Sequence, residues 1–202
     1  MTDADILQEV ARIKYLYKMK GVFRFGQNRD PWERAESNAE HLYGMMVLTN
    51  YFLPFEDPEG SLDRQRIFDL IFVHDLDEIE EGDIISYHKT DADRAREQAA
   101  MQTALRESPG IMAIDMPSLV AEYEAQETPE ARFTKAIDKI EPLFEVFDKY
   151  GKHIMQSNQT TYEQAMRDKE RYLAGYPVLM DFLRVIGEEM YRQGYFYDPS
   201  SS

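Results

Sequence analysis

The chain has 202 residues, 43% of them apolar, enough to bury one good core, so a single domain over residues 1–197 with a flexible tail at 198–202 is expected. Cysteine is absent, which excludes disulfides, thiolate nucleophiles and thiolate zinc sites and suits a reducing cytoplasm. A formal net charge of -15 argues against a broad basic surface for a nucleic acid polymer or an anionic membrane. It leaves room for a small phosphate ligand, because a bound cation and one or two arginines can invert the field locally.

The opening segment begins with acids and mixes charged with apolar residues, unlike the basic start and apolar run of a signal peptide. Its periodicity predicts a helix over about Asp3–Lys20, with Ile6, Val10, Ile13 and Leu16 or Tyr17 facing the core and Gly21 at its end. A polar loop from Phe25 to Glu36 follows. Ser37 and Glu40 have the spacing of a capping box and start a second helix that should stop before Pro54. A third is predicted from Ser61 or Asp63 to near Gly82, its apolar face reading Ile67, Leu70, Ile71 and then His74. The run Leu70–Val73 is far too short to span a bilayer.

Further helices are predicted over Asp91–Glu107 and Pro117–Gln126, then from Thr128-Pro129 towards Tyr150, with Gly151 as the stop. The last two occupy Thr161–Leu173 and Pro177–Gln193. Alternating strand patterns are almost absent and no repeat is visible, so the fold class is all-α.

Only four histidines are present, and His74 adjoins Asp75. A lone histidine on a buried stripe is most often a satisfied core residue. Asp75 is turned about 100° around the same helix, and a buried His beside a buried Asp needs a compensating charge, which a divalent cation supplies. His41 lies in the first turn of the second helix, a place where partial exposure is the ordinary outcome. Asp138 interrupts the stripe Ile137, Ile140, Phe144, Phe147 of a long helix that Pro142 should bend. Glu78 follows His74 by four residues and could serve as acid or base, although it stands in an acidic run that solvent alone would explain. Arg24, Lys89 and Arg29 could contact a phosphate or be ordinary surface cations.

Four segments then carry a resemblance: Glu36 to His41, Val73 to Glu78, Gly82-Asp83-Ile84 and Ile137 to Glu141. Their order resembles the HD-domain phosphohydrolases, and within these the 5'-deoxynucleotidases similar to the bacterial YfbR protein, over about Ile6 to Tyr150. The resemblance implies a helical bundle holding one divalent metal ion through His41, His74, Asp75 and Asp138. It implies Glu78 as catalytic acid/base, Arg24 as a phosphate contact and Asp83 as a catalytic or pocket residue. Phe25 stands where the bacterial enzymes carry Trp, and with Lys89 would help bind substrate. It also implies a homodimer.

The expected reaction is hydrolysis of a (deoxy)nucleoside 5'-monophosphate by a metal-activated water, with Arg24 neutralising the phosphoryl oxygens and Glu78 handling a proton. Two His and two Asp suit Mn, Co, Fe, Zn, Ni or Mg. His88 alone lies between the His-Asp pair and Asp138, which favours one metal over a dinuclear centre. The alternatives are an HD hydrolase of another phosphate ester (a triphosphate, a cyclic nucleotide or a non-nucleotide), a non-catalytic module stapled by metal, and an oxygen-activating di-iron protein.

Overall fold

Side-chain caps decide where most of the helices begin. The computed structural model describes residues 2–24, 36–84, 89–148 and 150–201. In it Thr2, Ser37, Thr90 and Thr161 form capping boxes, and Asp63, Asp115 and Thr128 accept from first-turn amides. The helices are α1 (Asp3–Leu16), α2 (Asn38–Glu56), α3 (Arg64–Val73), α4 (Glu78–Glu81) and α5 (Asp91–Glu107). They continue with α6 (Met116–Ala125), α7 (Pro129–Val146), α8 (Gly151–Ser157), α9 (Tyr162–Leu173) and α10 (Pro177–Arg192). The chain is all-α, and an isolated bridge between Phe23 and Ser37 is the β pairing found among the described residues.

Helix α7 is the axis of the molecule, touching α2, α3, α6, α8, α9 and α10. It is therefore buried nearly all round, with Phe133, Ile137, Ile140 and Leu143 fully enclosed, and Asp138 and Glu141 carried inside with them. Two apolar clusters meet on α3, whose 100° per residue sends Ile67 and Ile71 to one and Leu70 and Val73 to the other. The larger gathers Phe52, Ile140 and Leu183, the smaller Leu76, Met101 and Leu119. Each such side chain contributes about 1.5–3 kcal/mol when removed from water.

Several expectations are corrected. Ile6, Val10, Ile13 and Tyr17 are exposed; α1 anchors instead through Tyr15 and, beyond its end, Met19 in a 3-10 turn at Tyr17–Gly21. Helix α2 passes through Pro54 to Glu56, since a proline near the carboxyl end forfeits only one intrahelical bond. The third helix is not continuous to Gly82: α3 ends at Val73, and α4 starts at Glu78. Phe144 on α7 and Phe147 just beyond its end are partly exposed, while Leu143 and Val146 are buried. Gly151 opens α8 rather than ending a helix, because a Cβ there would lie 1.6 Å from the Val146 carbonyl oxygen. Among the described residues no helix is long and apolar enough to cross a membrane.

Candidate metal centre

The start of α2, the end of α3 and the middle of α7 converge on four side chains. Ser37 caps α2 and delivers His41 one turn later. The preceding segment is tied to that start by Arg24 N to Glu36 O at 2.8 Å and Asn38 N to Val22 O at 2.9 Å, which brings Arg24 alongside. After Val73 the backbone bonds switch to i→i+3, with Leu76 N to Val73 O at 3.4 Å and Glu78 N to Asp75 O at 3.1 Å. Three residues per turn eclipse positions i and i+3, so Asp75 and Glu78 lie on one side.

One donor atom from each of His41, His74 and Asp75 lies within 4.8 Å of the other two. His74 Nε2 is 3.1 Å and His41 Nε2 4.0 Å from Asp75 Oδ2, while Asp138 Oδ1 is 3.7 Å from His41 Nε2. The remaining atoms of three of these groups are engaged elsewhere. His41 Nδ1 lies 2.6 Å from Glu141 Oε2, and His74 Nδ1 donates to Ile71 O at 2.8 Å. Asp138 Oδ2 takes the Tyr123 hydroxyl and the ammonium groups of Lys135 and Lys139, each at 3.1 Å. His41, His74 and Asp138 thus each offer one atom inward, and Asp75 contributes Oδ2. Both Nε2 atoms are buried without a hydrogen-bond partner, a costly state that a cation accepting both nitrogens relieves. Two imidazoles and two carboxylates fit a divalent transition metal.

The electrostatics are those of a crowded anionic pocket. Burial pushes Asp75 up, but His74 outweighs it and holds the carboxyl below its usual range. Asp138 is likewise held well below, Lys139 and Lys135 prevailing over burial. Burial and Arg24 disfavour the His41 imidazolium, yet Asp138 and Glu141 prevail and lift it to about 9. Glu78 goes well above the normal range through burial, then Asp75 and Asp83. Its Oε2 accepts a very short hydrogen bond from the fully buried Asn38 amide. Burial opposes the charge of Arg24, but Asp83, Asp75 and Glu78 keep it firmly protonated.

Of the residues singled out in sequence, His41, His74, Asp75 and Asp138 come together, and Glu78, Asp83 and Arg24 surround them. His41 is fully buried rather than partly exposed at a helix start. Arg24 is buried, with Nη1 3.5 Å from Asp75 Oδ2 and Nε 3.5 Å from Glu36 Oε2. Lys89 pairs with Glu97 Oε1 at 2.5 Å; burial disfavours its charge, but Glu97, then Glu78 and Asp77, prevail. Phe25, Arg29 and His88 lie outside the described residues. Lys135 and Tyr123 were not anticipated, and Glu36, Asn38, Lys139 and Glu141, though within the segments that carry the resemblance, were given no role. Buried charge on α7 was the available signal for Glu141, Lys135 and Lys139; nothing in the sequence places Asn38 against Glu78, 40 positions away.

Known proteins resemble this chain in sequence and in fold. The chain is 31% identical over 73% of its length to the 5'-deoxynucleotidase hdd1 of Schizosaccharomyces pombe, covering 75% of that protein. It is 31% identical over 67% of its length to the 5'-deoxynucleotidase HDDC2 of Xenopus laevis, of which it spans about two thirds (66%). A crystal structure of a Magnetospirillum magnetotacticum protein, named a predicted metal-dependent phosphohydrolase, superposes with a TM-score of 0.79 at 25% identity over 96% of both chains. The HD domain family model matches residues 16–179, a span that contains all four converging side chains, so the chain belongs to the HD domain family.

Proposed function

We propose that this chain is a metal-dependent 5'-nucleotidase that removes phosphate from deoxynucleoside 5'-monophosphates. The observation that carries the reading is the convergence of two buried imidazole Nε2 atoms on Asp75 and Asp138, beside the buried side chains of Arg24 and Glu78. The names of the yeast and frog relatives supply the substrate class. His41, His74, Asp75 and Asp138 would hold one divalent ion, which when bound polarises phosphate oxygens and lowers the pKa of water.

The chain's own residues supply the rest. Arg24 neutralises the phosphoryl oxygens as charge builds on them. Glu78, whose carboxyl burial shifts towards its protonated form, would act as the acid towards the leaving 5'-oxygen, and Asn38 would hold that carboxyl in one orientation. Asp83 reinforces both, favouring the charge on Arg24 and the proton on Glu78. Lys89 would contribute to substrate binding, a role the resemblance also gives to Phe25.

The reading extends to a single HD-type domain over residues 1–197, to a homodimer, and to the cytoplasm, which the absence of cysteine supports. For the dimer the support is exposed apolar surface. Tyr43, Val47, Tyr51 and Phe55 form a stripe at i+4 spacing on α2, and Ile6, Val10 and Ile13 another on α1. Light scattering of the wild type and of Val47→Glu would distinguish a dimer broken by the charge from a monomer indifferent to it.

Activity is tested by phosphate release from ribo- and deoxyribonucleoside monophosphates, triphosphates and cyclic nucleotides, after stripping and reloading with Mn, Co, Mg or Zn. Deoxynucleoside monophosphates should turn over, and Glu78→Gln should lower kcat about 10²–10⁴-fold with metal still bound. Metal binding with no turnover of any monophosphate refutes the proposal.

A further inference from the structure

Glu141 takes no part in the reaction just described, yet it makes the shortest polar contact of His41. It follows Asp138 by three residues on α7 and is 4% exposed, and its Oε2 lies 2.6 Å from His41 Nδ1. Gly44, three residues beyond His41 on the same face of α2, makes the room: a Cβ there would sit 2.5 Å from Glu141 Oε1. Glycine inside a helix costs about 0.5–1 kcal/mol relative to alanine, so this is an unfavourable choice for α2 taken alone. Its effect is to let one carboxylate reach the far nitrogen of the imidazole.

We propose that Glu141, admitted by Gly44, is a positioning residue for the metal centre, holding the His41 ring through Nδ1 so that Nε2 faces Asp75 and Asp138. This rests on reading His41 as a metal ligand. A carboxylate on the second nitrogen fixes both the tautomer and the ring plane and makes the imidazole a stronger donor.

Glu36 creates a rival, because donor atoms of Glu36, His41 and Glu141 also lie within 4.8 Å of one another and could hold a second ion. The geometry speaks against it. The 2.6 Å separation of Nδ1 and Oε2 is that of a direct charge-assisted hydrogen bond, and the Arg24 guanidinium already lies 3.5 Å from Glu36 Oε2.

The test measures Mn²⁺ affinity and stoichiometry by electron paramagnetic resonance of the free ion, for the wild type, Glu141→Ala, Glu141→Gln, Gly44→Ala and Glu36→Gln. Thermal unfolding of the metal-free chains confirms that each is folded. Glu141→Ala should bind Mn²⁺ about 10–100-fold more weakly. Gly44→Ala should weaken binding in the same way while removing no donor atom. Glu141→Gln, whose amide oxygen still accepts from Nδ1–H, should stay within several-fold of the wild type. Wild-type affinity in folded Gly44→Ala overturns the proposal even where Glu141→Ala does not fold, and so does a Glu141→Gln as weak as alanine. Two ions in the wild type, one of them lost in Glu36→Gln, overturn it in favour of the second site. A wild type that binds no Mn²⁺ overturns it together with the metal reading. Because occupancy is read without substrate, failure of the nucleotidase activity alone leaves the result standing.

Discussion

Metal binding through His41 must displace a proton, and the size of that competition follows from the pocket. Asp138 and Glu141 overcome burial and Arg24 to raise the imidazole from 6.5 to about 9. In the metal-free chain this raised value stabilises the fold fully below pH 6.5 and fades as the pH climbs through about 9. Two carboxyls act in the same direction. Burial and Glu141 raise Glu36 from 4.5 to about 8, and burial and Asp75 raise Asp77 from 3.8 to about 7, so both contributions are present in acid and lost on the way to those values. The metal-free protein therefore weakens between mild acid and about pH 9, while the cation gains its ligand. Below that value each pH unit should strengthen binding about tenfold, or about 1.4 kcal/mol. Between about pH 6.5 and 8.5 the gain is roughly 3 kcal/mol, which for a chain of this size adds about 6–12 °C to the metal-induced rise in Tm. Paired scanning-fluorimetry melts with about 1 mM Mn²⁺ or with chelator, across that range, measure it. A rise in Tm that is flat or shrinks with pH, or one that His41→Gln reproduces, would refute the reasoning.

Three further predictions concern the scaffold. Glu56 Oε1 accepts from Leu179 N at 2.7 Å and caps α10 from a distant helix, so Glu56→Ala should cost about 0.5–2 kcal/mol in urea unfolding. No change would mean that water replaces the carboxylate without loss. Lys169 is buried with its Nζ 2.9 Å from Lys139 O, and burial lowers it from 10.5 to about 8. Its unfolded form binds more protons between those values, so this group's contribution to stability rises with pH there and is least favourable below about 8. Lys169→Met should stabilise the chain by about 1–3 kcal/mol at neutral pH, with the advantage shrinking towards about pH 10; an advantage constant with pH would contradict this. Gly151→Ala drives a Cβ against the Val146 carbonyl, which is backbone and cannot rotate aside, and should cost about 1–3 kcal/mol or more in the same assay. Wild-type stability would show that α8 shifts freely.

Local chemistry was legible in the sequence because it acts over three or four residues. The Ser37–Glu40 box, the Thr128-Pro129 start and the helix at Asp91–Glu107 appear where capping and periodicity put them. The His74-Asp75 pair and Asp138 stood out because a charge on an apolar stripe needs compensation, but the full set with His41 came only from the resemblance to HD-domain proteins. Periodicity misled where an apolar stripe has no partner among the described residues, as on α1, and where α3 gives way to a tighter turn at the His74-Asp75 pair. A helical wheel assumes 100° per residue and cannot register that change.

Composition and local pattern were enough for an all-α chain and most helix starts, and the resemblance added four candidate side chains for a cation. The tertiary structure alone decided which atom each of them presents. His41 offers Nε2 because Glu141, 100 positions away, occupies Nδ1, and Asp138 offers Oδ1 because Tyr123, Lys135 and Lys139 saturate the other oxygen. The orientation of a buried polar group is set by whatever packs behind it, and that neighbour comes from another helix, whose approach no local pattern encodes.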